Sequence, residues 1–410
     1  MASERVPGVR SIALGFWVRA GSRDEDEERA GLSHFLEHLL FKGTNRFSSR
    51  DIDETFDGLG AEVNAGTGKE TTSVYSRFLD MHLERAFDVL QDMVLRPVYP
   101  DIDSERQVVI EEIAMYEDEP QDKVHDVLAR AVFGDHPLGR PIIGSADVVG
   151  SVAVPEVASW HDTRYVPGNL VAAAAGNIEH ERLVGLVEGA LADVDAGGSP
   201  PPAAAPGNGR PGVRFGQKET EQYHFCLGAP GIPRADERRF ALRVLDTLLG
   251  GSSSSRLFQE IREKRGLAYA VYSFAAHYAD SGQVGLYVGT RPDNVSEAMK
   301  VVGDELHGLL ADGVAEEELE RARENVKGRA VLSMESTLGR MNRLGSSVLM
   351  GVPVLTLDEL LAAIDAVTLD DVMGLARELW DPARMSAAGI GGDEDAFRTC
   401  LESVNPALAA

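Results

Sequence analysis

A stretch rich in proline, glycine and alanine divides this chain nearly in half. Residues 197–209 have the sequence GGSPPPAAAPGNG, a composition that cannot build a packed helix or strand and is typical of a linker. With 410 residues, the chain is also too long for one ordinary hydrophobic core. We therefore predict two domains, residues 1–196 and 213–410, joined by a linker over 197–212.

The second half repeats the pattern of the first. A predicted strand over 11–18 precedes the helix that contains residues 31–41, and a strand-like segment over 223–227 precedes a predicted helix over 237–249. Each half then closes with a helix and a strand. The pattern predicts the α+β class, with two homologous domains whose mixed or antiparallel sheets pack against helices.

Charge and composition exclude several classes of function. The formal net charge of -26 argues against nucleic acid or an anionic membrane as the main partner, since both bind clustered Lys and Arg. No run approaches the roughly 20 apolar residues of a membrane span, and the start, residues 1–5, lacks a secretion signal. We therefore expect a cytoplasmic protein. Cys226 and Cys400 form no CxxC pair, so neither a disulfide framework nor a thiolate metal site is expected.

The predicted helix over 31–41 contains the sequence His34-x-x-Glu37-His38. At about 100° per residue, the two imidazoles and the carboxylate share one arc of a largely apolar helix. Burying them without partners costs several kcal/mol, and a metal ion would satisfy two histidines spaced i, i+4. The alternative is a chance motif whose groups are each hydrogen-bonded. The acidic run Asp24–Glu28 just before this helix predicts a solvated loop.

A zinc site in a hydrolase needs a third protein ligand and an open position. The predicted helix over 102–118 contains Glu105 and Glu112, which are seven residues apart and lie within about 20° on the helix surface, whereas Glu111 is turned about 100° away. Glu112 is therefore the strongest candidate ligand, with Glu105 beside it to orient a histidine. The alternative is a surface helix with a solvated acidic stripe.

These motifs together resemble those of a known family. His-x-x-Glu-His, followed about 70 residues later by Glu105-x6-Glu112, resembles the pitrilysin-type M16 metallopeptidases, the inverzincins. The resemblance is greatest to the branch of mitochondrial processing peptidase and its single-chain bacterial relatives. Arg262 and Tyr269 resemble the Arg-x6-Tyr pair of the family. Its members also have a strand before the segment that begins here near Val6. We expect that strand to be missing, which leaves the edge of the first sheet undetermined.

The resemblance implies a zinc endopeptidase. His34, His38 and Glu112 would hold one Zn²⁺ per chain, which lowers the pKa of a bound water. Glu37 would be the general base that activates this water, and Glu105 would orient a histidine.

The resemblance also implies how substrate is held. Arg262 and Tyr269 would grip the substrate carbonyl or the oxyanion, and Asn64 and Ala65 would form an edge strand to which substrate adds as an extra strand. Substrates would be oligopeptides or unfolded, presequence-like segments. The family arrangement further implies a homodimer in which Arg262 and Tyr269 serve the zinc of the opposite protomer.

Two alternatives belong to other classes of function. One is a non-catalytic family member that acts as a peptide-binding subunit or scaffold. Such members generally lack part of the metal set, which this chain retains in full. The other is a zinc-binding protein that sequesters peptides and turns them over slowly.

Overall fold

A computed structural model describes residues 1–194, 197–198, 204 and 211–409. Most of the predicted linker, 197–212, lies outside these residues. The described strands are β1 Ala2–Arg5, β2 Ser11–Val18, β3 Glu62–Thr67, β4 Thr72–Leu79, β5 Leu170–Gly176, β6 Val213–Gln217, β7 Tyr223–Gly231, β8 Ala268–His277, β9 Gly282–Thr290 and β10 Ser386–Gly391.

The helices fall between and after these strands in both halves of the chain. They are α1 Leu32–Leu39, α2 Ser49–Gly58, α3 Leu83–Leu95, α4 Ile102–Asp118, α5 Pro120–Phe133, α6 Ala146–Ser151, α7 Val154–Arg164, α8 His180–Leu191, α9 Arg239–Leu249, α10 Val295–Asp312, α11 Glu316–Ser333, α12 Thr337–Leu349, α13 Leu357–Asp365, α14 Leu369–Leu379, α15 Glu394–Leu401 and α16 Pro406–Ala409. Over the described residues, none of them is both long and apolar enough to cross a bilayer.

The strands form two five-stranded sheets with the same topology. Their orders are β1-β5-β2-β4-β3 and β6-β10-β7-β9-β8, so each strand of one sheet has its counterpart in the other. In each sheet the first two strands of that order pair in parallel and the remaining neighbours pair antiparallel. The prediction of two homologous α+β domains with mixed sheets is confirmed.

The expectation that the edge strand of the first sheet is missing is wrong. Residues 2–5 form β1, which pairs in parallel with β5 from Ala2 opposite Ala173 to Arg5 opposite Gly176. The sequence Ala-Ser-Glu-Arg has no apolar alternation that would mark a strand. The strand forms because β5, more than 160 residues later in the chain, offers an unpaired backbone edge.

The two compact units of the molecule do not coincide with the two halves of the sequence, because each unit includes one segment from the other half. Residues 116–140, which contain α5, belong to the unit built on the second sheet, and residues 331–354, which contain α12, belong to the unit built on the first. The compact units thus depart from two contiguous halves at these two helices. The first unit comprises residues 1–115, 141–203 and 331–354.

Close packing against the sheets explains why these helices lie there. A Cβ on Gly345 of α12 would lie 2.3 Å from the indole ring of Trp17 on β2. A Cβ on Gly228 of β7 would lie 2.9 Å from the side chain of Leu128 on α5. Distances below about 3 Å are incompatible with native packing, so in each case a glycine allows the helix to approach the sheet.

Candidate metal centre

Helix α1 has one apolar face and one face that carries the two histidines. The apolar face packs into the core of the first unit, and four of its side chains are no more than 1% exposed: Leu32, Phe35, Leu36 and Leu39. The side chains of His34 and His38 are 13% and 22% exposed. This packing fixes the rotation of the helix and so the direction in which the histidines point.

A buried carboxylate accepts hydrogen bonds from backbone N–H groups at the N-terminus of α1. Glu25, which is 3% exposed, accepts hydrogen bonds from the backbone N–H groups of Gly31 at 2.8 Å and Ser33 at 2.7 Å. A negative charge is favourable at the N-terminus of a helix. The prediction of a solvated loop over 24–28 is therefore wrong at Glu25, whose carboxylate bonds the helix N-terminus, and at Asp24, whose side chain is 7% exposed and pairs with Arg164. Residues 26–28 are exposed.

His34, His38 and Glu112 converge on one point. Each residue offers one ligand atom, and these atoms lie within 4.8 Å of one another. Glu112 Oε1 lies 3.7 Å from His34 Nε2, and Glu112 Oε2 lies 3.2 Å from His38 Nε2. In the described part of the chain, no other group of His, Cys, Asp or Glu meets the same criterion. Helix α4 therefore places Glu112 beside the histidines of α1.

The donor set fits a zinc ion. Ligand bonds of about 2.0–2.2 Å in a tetrahedron place neighbouring donor atoms about 3.3 Å apart. Glu112 Oε2 lies 3.2 Å from His38 Nε2, and one ligand atom from each of the three residues lies within 4.8 Å of the others. Two imidazoles and one carboxylate leave the fourth position open, as in catalytic zinc sites.

The environment of His34 favours its neutral form. Burial, together with the neighbouring His38, lowers the pKa of His34 to about 4. The two rings are 4.7 Å apart between centroids. Because a metal binds only the neutral imidazole, His34 is ready to ligate a metal at neutral pH.

Glu105 and Lys42 form a second layer behind His38. Glu105 Oε1 lies 2.9 Å from His38 Nδ1, and Glu105 Oε2 lies 2.6 Å from Lys42 Nζ. The Glu105 side chain is only 7% exposed. This carboxylate can accept a hydrogen bond from the Nδ1–H group of His38, which leaves Nε2 directed at Glu112. Lys42, which donates to Glu105, was not predicted from the sequence.

Glu37 lies beside the cluster and is held by β3. Its Oε2 accepts a hydrogen bond of 2.5 Å from the hydroxyl of Thr67. Burial raises the pKa of Glu37, and the Thr67 hydrogen bond and the proximity of His38 act in the opposite direction. Glu37 is therefore a carboxylate next to the three candidate ligands and is not one of them.

Among the described residues, strand β3, which carries Asn64 and Ala65, is an edge strand of the first sheet. Asn64 is exposed, and its Oδ1 accepts the backbone N–H of Ala65 at 2.8 Å. Ala65 and Thr67 alternate with exposed residues, so they share the inner face of the strand. Asn64 and Ala65 thus lie on the same strand as Thr67, which donates a hydrogen bond to Glu37.

Arg262 and Tyr269 belong to the second unit and contact each other. The guanidinium of Arg262 lies 4.4 Å from the ring centroid of Tyr269 and 4.8 Å from that of Phe258. Arg262 lies in a π-helical segment, Phe258–Glu263, a conformation often found at functional sites. Tyr269 is 77% exposed. The role of this pair toward a metal stays a prediction.

Three residues of the centre were not predicted from the sequence. Thr67 had a usable signal, because strand alternation places it on the same face as Ala65. Lys42 had no such signal, because it lies beyond the end of α1 at Leu39, where helical spacing no longer applies. Glu25 had no signal, since an acid in an acidic run is usually solvated.

The sequence is similar to two family models and to curated bacterial proteins. A model described as Insulinase (Peptidase family M16) matches residues 1–146, and one described as Peptidase M16 inactive domain matches residues 151–326. An uncharacterized zinc protease of Streptomyces coelicolor is 44% identical over 391 residues, covering 92% of this chain and 84% of the relative. The uncharacterized zinc protease YmxG of Bacillus subtilis is 42% identical over 383 residues, covering 92% of each chain.

The fold is also similar to that of solved proteins. A protease from Helicobacter pylori superposes with a TM-score of 0.90 at 20% identity, covering 95% of this chain and 96% of the other. At that identity the similarity shows the fold alone, and it agrees with the predicted architecture.

Proposed function

The chain belongs to the M16 family of peptidases, and we propose on this premise that it is a zinc-dependent endopeptidase. The observation that carries the proposal is the convergence of His34, His38 and Glu112. Glu37 lies on the same helix, α1, as the two histidines. The substrates of the proposed endopeptidase are oligopeptides or unfolded, presequence-like segments. We also propose that the chain is an inverzincin, with the motif order His-x-x-Glu-His. We place it in the processing-peptidase-like branch of the family and in the cytoplasm.

Each residue of the centre has a distinct task in this proposal. His34, His38 and Glu112 would hold Zn²⁺, which when bound supplies a Lewis acid and lowers the pKa of water. Glu37 takes the proton of the attacking water and later gives it to the departing amine. Glu105 holds His38 in the tautomer that presents Nε2 to the metal.

Strand β3 receives the substrate as an added strand. Its free edge offers backbone groups for pairing, and Asn64 and Ala65 lie on it. Recognition through the backbone selects extended peptides over folded proteins. This geometry supports the choice of oligopeptides and unfolded segments as substrates.

Arg262 and Tyr269 stabilise the oxyanion by donating hydrogen bonds, each worth about 3 kcal/mol in comparable sites. We place them across a homodimer, where they serve the metal of the partner. Mixing a Glu37→Gln protein with an Arg262→Ala protein then restores part of the activity through hybrid dimers. No restoration despite demonstrated subunit exchange would contradict the dimer arrangement.

A second candidate is a non-catalytic subunit that binds peptides. It is favoured by one observation, the match of residues 151–326 to a model described as an inactive domain. The first half nevertheless retains the complete donor set together with Glu37.

A fluorogenic peptide assay separates the two candidates. Purified protein is incubated with a mixed peptide library, with and without a chelator, and then with Zn²⁺ restored. The peptidase proposal expects cleavage that the chelator stops and Zn²⁺ restores. Peptide binding without chelator-sensitive cleavage would favour the non-catalytic subunit.

A further inference from the structure

Thr67 connects the proposed substrate strand to Glu37. We propose that Thr67 is a positioning residue, whose hydroxyl holds the Glu37 carboxylate in place through a hydrogen bond to Oε2. The inference rests on the proposed function, because it assigns Glu37 the role of base. Its central observation is the hydrogen bond of 2.5 Å from the Thr67 hydroxyl to Glu37 Oε2.

The hydrogen of the Thr67 hydroxyl is committed to Glu37. The hydroxyl oxygen of Thr72 lies 3.4 Å from that of Thr67. Thr72 gives its own hydrogen to the carbonyl oxygen of Ala20 at 3.0 Å. Since each hydroxyl has a single hydrogen, the contact between the two threonines takes no donor away from Glu37.

Glu37 needs such a partner because its side chain is long. A glutamate loses substantial rotamer freedom when it is fixed in one geometry, and its neighbours on α1, His34 and His38, are directed at Glu112. A short hydrogen bond to a charged acceptor holds the carboxylate without adding a competing charge. Thr67 provides this contact from a separate element.

The position of Thr67 is itself fixed by a buried ion pair at the end of its hairpin. Arg23 Nη1 lies 2.6 Å from Glu70 Oε1, and the two side chains are 1% and 8% exposed. The backbone N–H groups of Ser22 and Arg23 donate to the carbonyl oxygens of Gly68 at 3.2 Å and Lys69 at 2.7 Å. The strand proposed to receive substrate is thus anchored where it holds the base.

Three variants test the proposal. Thr67→Val removes the hydroxyl and keeps the shape, Thr67→Ser keeps the hydroxyl, and Thr72→Val removes a buried hydroxyl of the same hairpin that bonds Ala20. We expect Thr67→Val to lower kcat on the order of 10- to 100-fold, the effect of misplacing a catalytic group. KM and zinc affinity should stay within about twofold of wild type, because the ligands are untouched.

The other two variants supply the controls. Thr67→Ser should restore most of kcat, and Thr72→Val should keep it even if its thermal stability falls. An unchanged kcat in Thr67→Val, no rescue by serine, or an equal loss in Thr72→Val would overturn the positioning role.

Crystal structures of the metal-free proteins give a readout that needs no activity. The proposal expects the Glu37 carboxylate to leave its place in Thr67→Val and to keep it in Thr67→Ser. A Glu37 that stays in place without the hydroxyl would overturn the proposal. If the wild type cleaves no peptide, the proposed function fails, while these structures still decide whether Thr67 holds Glu37.

Discussion

Replacing Lys42 by methionine should weaken zinc binding although Lys42 is not a ligand. Lys42 Nζ lies 2.6 Å from Glu105 Oε2, and Glu105 Oε1 lies 2.9 Å from His38 Nδ1. Without the ammonium group, the Glu105 carboxylate loses the cation that holds its Oε2 in place. It is then a less well positioned acceptor for the Nδ1–H group of His38, so the histidine is less well oriented toward a metal.

Two lines of argument give the size of the effect. The pair is intermediate between exposed ion pairs, worth up to about 1 kcal/mol, and fully buried ones, whose disruption costs about 3–5 kcal/mol, because Glu105 is 7% exposed and Lys42 is 30% exposed. Changes in residues that orient a metal ligand cost about 10- to 100-fold in metal affinity, which corresponds to about 1.4–2.7 kcal/mol. Both arguments indicate that Lys42→Met loses about 2 kcal/mol of zinc-binding free energy.

The assay is a zinc titration of metal-free protein in competition with a chromogenic chelator. Lys42→Arg keeps the charge and should bind zinc nearly as tightly as wild type. The matched control is Lys327→Met, because Lys327 forms an ion pair of the same length, 2.6 Å, with Asp365 in the second unit. Wild-type affinity in Lys42→Met, or an equal loss in Lys327→Met, would refute the reasoning.

Three further predictions concern stability. Arg23→Met leaves the carboxylate of Glu70 buried without its cation and should lower the free energy of unfolding by about 3–5 kcal/mol in urea titrations. Burial lowers the pKa of His161 below 6.5, so the unfolded state binds more protons and stability should decline as the pH falls from 6.5 toward the lowered pKa; His161→Gln should flatten this decline. Gly345→Ala places a methyl group against an indole ring and should cost about 1–3 kcal/mol.

Each of these predictions has a result that would contradict it. For Arg23→Met, a fall of less than about 1 kcal/mol in the free energy of unfolding would mean that water replaces the missing guanidinium. For His161, equal pH dependence in wild type and variant would assign the decline to other groups. For Gly345, an unchanged melting temperature would mean that α12 can move away from the sheet.

Local patterns in the sequence were enough to predict helix α4. Its bounds, Ile102–Asp118, agree with those expected from periodicity, because the helix is set by residues within a few turns of one another. The relative phase of Glu105 and Glu112 follows from the same local geometry, which is why both are found behind or beside the histidines.

Features that depend on distant partners were not predictable in this way. Strand β1 exists through its pairing with β5, and an amphipathic helix such as α5 or α12 does not reveal which sheet it will cover. Thr67 is an ordinary strand residue until α1 brings Glu37 within 2.5 Å. Sequence patterns therefore predict the donors of the centre better than the residues that hold them in place.

The most direct test of the central claim compares wild type with Glu37→Gln in one experiment. Both proteins are loaded with Zn²⁺, their metal content is measured, and peptide cleavage is followed under the same conditions. We predict one zinc per chain in both proteins and a fall in kcat of about 10²- to 10⁴-fold in the variant, the contribution typical of a general base. Cleavage by Glu37→Gln at the wild-type rate with zinc bound would contradict the account.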